Sequence, residues 1–120
     1  MCLGKLLIIL FSSSMQNQNT DTVYEFAKAA VEGGHEVSVF CDADGLYNLV
    51  ASQTSSDQMT SAKKLAELIE KGVHIHICQQ SARLRGIDVE KVLIKGVMKS
   101  SLGELAQLIE GSDRVVSFNI

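Results

Sequence analysis

The chain has no tryptophan, no proline and no C-x-x-C pair, and acidic residues outnumber basic ones. These gaps narrow the function classes. A net charge of −3 leaves no electrostatic footprint for nucleic acid. Lysine and arginine do not cluster beyond pairs, Arg83 with Arg85 and Lys63 with Lys64, which argues against a polyanion or a membrane surface as partner. The three cysteines, Cys2, Cys41 and Cys78, are odd in number and unpaired in spacing. That argues against a disulfide framework and against a zinc site made only of thiolates. The apolar run at residues 6–11 is too short for a signal h-region or a membrane span, and no cleavage motif follows it. The expectation is a cytoplasmic protein whose thiols stay reduced. The absence of proline has no physical account.

What is present is a repeated unit of amphipathic helix, glycine stop and short apolar strand. Val23, Phe26, Ala27, Ala30 and Val31 recur at helical spacing behind polar residues 19–22, which offer N-caps. Gly33-Gly34 ends that helix, and Glu36–Cys41 reads as a strand. Leu65, Ala66 and Ile69 mark a second helix, stopped by Gly72 and followed by a strand over 73–78. Ser101 and Glu104 form a capping box ahead of Leu102, Leu105, Ala106 and Ile109. Gly111 stops this third helix, and Arg114–Phe118 is the last strand. Another strand is expected within 92–98, and loops at 12–19 and 52–60. Each glycine stop stands where a helix end favours the left-handed region. Alternating strands and helices, with strands that are nearly continuous apolar runs, predict a buried parallel sheet. Nearly half the residues are apolar, enough for one core without disulfides or a structural metal. The expected fold is a single domain over residues 1–120, a flavodoxin-like three-layer α/β/α arrangement with four or five parallel strands.

In such sheets chemistry gathers beyond the carboxyl ends of the strands. That edge receives residues 12–14, Cys41 with Asp42 and Asp44, and Cys78. Cys78 is the favoured candidate. It closes a strand and precedes a helix predicted over 79–85 and ended by Gly86. A sulfur at a helix N-terminus has its pKa drawn from about 8.5 towards neutrality, and the thiolate is the nucleophile. Arg83 and Arg85 would add positive charge if the helix turned them to the sulfur. The competing reading is a small buried hydrophobe. Cys41 is followed by two acids that raise its pKa and reads as core filler; Cys2 lies near a terminus and is incidental. His74, His76 and Cys78 alternate on one strand face, and His-x-His with a cysteine is a partial zinc set. No further ligand is evident, so buried or interfacial histidines are the simpler reading, and His35 is a polar connector. The loop over 12–22 lacks the glycine that would let its backbone approach a phosphate, and no tryptophan stands ready to stack on a flavin. Its polar residues read as helix caps. A receiver-type phosphorylation site fails as well, because the strand-end position of the acceptor aspartate is held by Cys78.

The segment Cys78-Gln79-Gln80-Ser81-Ala82-Arg83-Leu84-Arg85-Gly86 resembles the active-cysteine segment of the DsrE/TusD-type (DsrE/DsrF-like) sulfur-relay proteins. There a strand-end cysteine is followed by small residues and an arginine-glycine turn. The resemblance spans most of the chain, including the opening strand with its serine-rich loop and the runs at 39–45 and 112–118. It implies a three-layer α/β fold, a persulfide-carrying cysteine, trimeric or hexameric assembly, and partner proteins that donate and accept sulfane sulfur. Only Cys78 carries over as catalytic; Arg83, Arg85 and Gly86 match the pattern without an assigned role.

The leading expectation is thus a sulfur carrier or sulfurtransferase that holds sulfane sulfur on Cys78 and yields it to a partner thiol, with no cofactor and no metal. The alternative is a non-enzymatic oligomeric binding or redox-sensing module of the same fold. Self-association is expected on independent grounds. A small domain covers its apolar surface poorly, and the last strand has no following helix over it.

Overall fold

A computed structural model of the protein describes residues 4–13, 19–53 and 60–118. Five strands, β1 (Lys5–Leu10), β2 (Glu36–Cys41), β3 (His74–Cys78), β4 (Met98–Ser100) and β5 (Arg114–Phe118), form one sheet. The helices are α1 (Asn19–Glu32), α2 (Ser61–Glu70), α3 (Gln79–Leu84), α4 (Val89–Val92) and α5 (Leu102–Gly111). The sheet is parallel throughout, in the order β4-β3-β2-β1-β5. Each step from β1 to β4 moves the same way across the sheet, so right-handed crossovers keep α1 and α2 on one face. The return from β4 to β5 runs the other way, and the same handedness places α5 on the opposite face.

Strand alternation therefore divides the core in two. Under α1 and α2 lie Ile8, Leu10, Val37, Val39, Cys41, Ile75 and Ile77, with Val23, Ala27, Leu65 and Leu68 packed on them. Among the described residues the buried apolar cluster under α5 is the smaller set Leu7, Ile9, Phe40 and Cys78, met by Leu105, Leu108 and Phe11. No residue of α5 is fully buried, and Met98, Leu102, Ile109 and Val115 are exposed. The second layer is thin.

Local chemistry sets the boundaries. Thr60 caps α2 by accepting from the Lys63 amide, and Ser101 caps α5 by accepting from the Glu104 amide, as its capping box predicts. Gly72 sits at φ +97 between α2 and β3, a conformation side chains with a Cβ rarely adopt. The strand expected within 92–98 is not there. Asp88 instead caps a helical turn, α4, through the Lys91 amide, and Leu93 makes a single antiparallel bridge with Val50. Gly96 then turns the chain at φ +95, and β4 begins at Met98. A 3₁₀ segment, Ala43–Leu49, was not expected from the sequence. Residues 14–18 and 54–59, where most of the two expected loops fall, lie outside the described residues. Among the described residues no helix is long and apolar enough to cross a membrane.

Candidate functional site

Cys78 is the last residue of β3 and the N-cap of α3. Its backbone is extended (φ −82, ψ 114) and its side chain makes no capping bond. The side chain lies on the thinly covered face, 3% exposed, in the cluster with Leu7, Ile9 and Phe40. Its register partner across β4 is Ser100, and two residues back on the same face is His76. The His76 Nδ1 and the Ser100 Oγ are 3.0 Å apart and hydrogen-bonded. The Phe40 ring lies 6.4 Å away, 14° from parallel with the imidazole. Burial pushes the His76 pKa below its ordinary value; neighbouring His74 adds to this and Glu104 opposes it.

α3 is tied to the end of β2. The Ser81 hydroxyl donates to the Asp42 carboxylate at 2.6 Å, and the same carboxylate oxygen accepts from the Ala43 amide at 2.7 Å. Ala43 has φ +50, a left-handed conformation costing a non-glycine residue about 1–2 kcal/mol. Arg85, expected as a source of positive charge near the sulfur, is paired with Asp44 at 3.2 Å and reaches the Ser81 carbonyl. Arg83 is exposed on α3, and Gly86 turns the chain after it at φ +68.

The candidates separate by face. Cys41 points into the main core, wholly buried, and its thiol is pushed up to about 12 by burial first and by the Asp42 charge second. His74 is exposed while His76 is buried. Among the described residues, no three His, Cys, Asp or Glu side chains are grouped to hold a metal ion. A groove of about 580 Å³ opens at the other end of the strands, lined by Lys5, Leu6, Phe26, His35 and Arg114, away from Cys78.

Three residues were missed in the sequence: Ser81, Ser100 and Asn48. Asn48, wholly buried, accepts from the Thr20 hydroxyl at 2.7 Å and donates to the Ser12 and Gly45 carbonyls at 2.6 and 2.9 Å. It fastens the loop after β1 to α1 and to the 3₁₀ segment. An asparagine flanked by Leu46, Tyr47, Leu49 and Val50 was the available signal, since a polar residue inside an apolar run needs buried partners.

A family model described as the DsrE/DsrF-like family matches residues 5–118. A sulfurtransferase TusD homologue from Vibrio parahaemolyticus is 32% identical, the alignment covering 92% of this chain and 95% of the relative. The sulfurtransferase TusD of Cronobacter sakazakii is 33% identical over 84% of this chain and 89% of its own. An uncharacterised protein of Methanocaldococcus jannaschii is 26% identical over 95% and 99%. Among solved structures, the ychN protein of E. coli superposes with a TM-score of 0.88 at 21% identity, covering 97% of this chain and all of that one. These structural likenesses speak to the fold.

Proposed function

The chain belongs to the DsrE/DsrF-like family, and on that premise we propose that it is a sulfur carrier, taking sulfane sulfur onto Cys78 and passing it to a partner thiol. The observation that carries this reading is the position of Cys78, closing a central strand at the carboxyl edge and heading α3, in a chain whose relatives include sulfurtransferases. The Cys78 thiolate attacks the outer sulfur of a donor persulfide. A Cys78 S–S bond forms, the donor S–S bond breaks, and the donor leaves as a thiolate. Transfer onward is the same exchange run against an acceptor thiol. The chemistry suits a reducing, cytoplasmic setting and needs no cofactor. Donor and acceptor are proteins of the relay type, and the carrier works as a trimer or hexamer of its own chain.

The burial of Cys78 favours a second reading, a binding or redox-sensing module in which this thiol carries no sulfur. One experiment separates the two. Incubation with polysulfide, followed by peptide mapping, should place added sulfur on the Cys78 peptide, and Cys78→Ser should remove it. Sulfur spread equally over Cys2 and Cys41, or none at all, favours the module.

A further inference from the structure

The face of the sheet that holds Cys78 is apolar where it is covered, with two buried polar side chains among the described residues, His76 and Ser100. They are bonded to each other. An apolar pair of similar shape would fill that space at little or no net cost, so packing alone does not call for them. Their placement relative to the sulfur does.

Ser100 stands directly across from Cys78 in the register of β3 and β4, with about 4.8 Å between neighbouring strands. Its side chain leaves the sheet on the same side as that of Cys78. A hydroxyl has one proton to give and two lone pairs. When it donates to an unprotonated His76 Nδ1, its lone pairs remain to receive the thiol proton. Building on the reading that Cys78 is the sulfur-bearing thiol, we infer that Ser100 and His76 are positioning residues that together form a proton relay for it.

The relay is balanced. The Cys78 S–H bond breaks and its proton forms an O–H bond on Ser100, while the original Ser100 proton moves to His76 Nδ1. The products are a thiolate, an intact hydroxyl and an imidazolium. After the thiolate has displaced the donor thiolate from its persulfide, the imidazolium proton neutralises that leaving group by the reverse route. No oxidant or reductant enters. The charged and titratable groups facing His76 are His74 from β3 and Glu104 from α5. From β2 comes the Phe40 ring, and from β4 come Met98 and Ser100, none of them charged. Burial biases the imidazole towards its neutral form, the state in which it can accept a proton.

The test follows Cys78 alkylation by iodoacetamide against pH, with peptide mapping. Ser100→Ala and His76→Asn should each move the midpoint upward and slow labelling at neutral pH about tenfold, one pH unit's worth. Ser100→Thr, which keeps the hydroxyl, should retain the parent profile. Unchanged profiles in both folded variants overturn the relay. Histidine-ring NMR titrations of the parent protein and of Cys78→Ser need no variant at the relay and no access for a reagent. The His76 curve should shift when the thiol is removed, and identical curves overturn the relay. Persulfide loading is read separately. A relay that responds while Cys78 accepts no sulfur sinks the carrier reading alone, and loading with unmoved profiles sinks the relay alone.

Discussion

The Ser81 hydroxyl and the Asp42 carboxylate, 2.6 Å apart, pin the helix that starts at Cys78 to the end of the neighbouring strand. The bond has a charged acceptor, which makes it stronger than a neutral one, and it shares that acceptor with the amide of left-handed Ala43. Ser81→Ala should cost about 1–3 kcal/mol, and Asp42→Ala more, because the cap on the 3₁₀ segment goes with it. Ala43→Gly should relieve strain and raise stability by about 1 kcal/mol. Urea midpoints of the three variants check the ranking. If Asp42→Ala proves the mildest, the pin carries no load.

The two buried thiols should behave oppositely. Cys41, with its thiol raised to about 12, holds about a thousandfold less thiolate at neutral pH than a free cysteine. It should stay unlabelled in native protein and react only after denaturant is added. Cys78, under the thinner layer, should label natively. Mass mapping of both peptides over time reads the outcome, and native labelling of Cys41 at the rate of Cys78 would contradict it.

Gly45 approaches the β1 chain so closely that a Cβ there would lie 2.1 Å from the Leu10 carbonyl oxygen. Backbone has to move for any side chain to fit. Gly45→Ala should destabilise the protein by about 1–3 kcal/mol or more, seen as a lower thermal midpoint. A midpoint equal to the parent's would show that the 3₁₀ segment shifts freely.

His76 supplies a pH dependence. Its folded pKa lies below the unfolded value of about 6.5, so between the two the unfolded chain binds more protons. Stability therefore rises with pH through that window and falls as pH drops below about 6.5. Thermal midpoints should decline from pH 7 to 5 less steeply in His76→Asn than in the parent. Parallel declines would assign the acid sensitivity to other groups.

The exposed side chains Met98, Leu102, Ile109 and Val115 belong to β4, α5 and β5 around the thin second layer. Apolar exposure of this kind is what the proposed association of chains would cover. Light scattering at micromolar concentration should give three or six times the 13.0 kDa chain mass. Val115→Asp with Leu102→Asp should reduce it. A monomeric parent would leave the proposed trimer or hexamer without support.

Much of the fold was legible because its elements are punctuated. Gly34, Gly72 and the Ser101–Glu104 box mark helix ends that the structure keeps, and the apolar runs at 36–41 and 114–118 are β2 and β5 to the residue. The stretch 92–98 misled because its apolar residues pack beside the core from a helical turn and an isolated bridge rather than from a strand. At the site, strand alternation alone places His76 and Cys78 on one face. It says nothing of what lies across the strand, since Ser100 meets them only through the pairing of β3 with β4. Asp42 and Ser81 are 39 positions apart in the chain, and no local pattern joins them. Arg85 shows the reverse failure. Its charge was legible and its direction was not, because Asp44 claims it.

The strand order also dictates a sequence of events at the ribosome. β2, β3 and β4 are each laid beside their immediate predecessor, so a chain emerging from the N-terminus can zip them up in turn. β5 pairs with β1, 100-odd residues upstream, and until it is synthesised the inner edge of β1 stays open. An uncapped, apolar edge of that kind is a template for other nascent chains. A stall after α5 would therefore leave the buried strand β1 at the sheet edge, and pairing of β5 moves that edge to a strand whose side chains are half-buried or exposed.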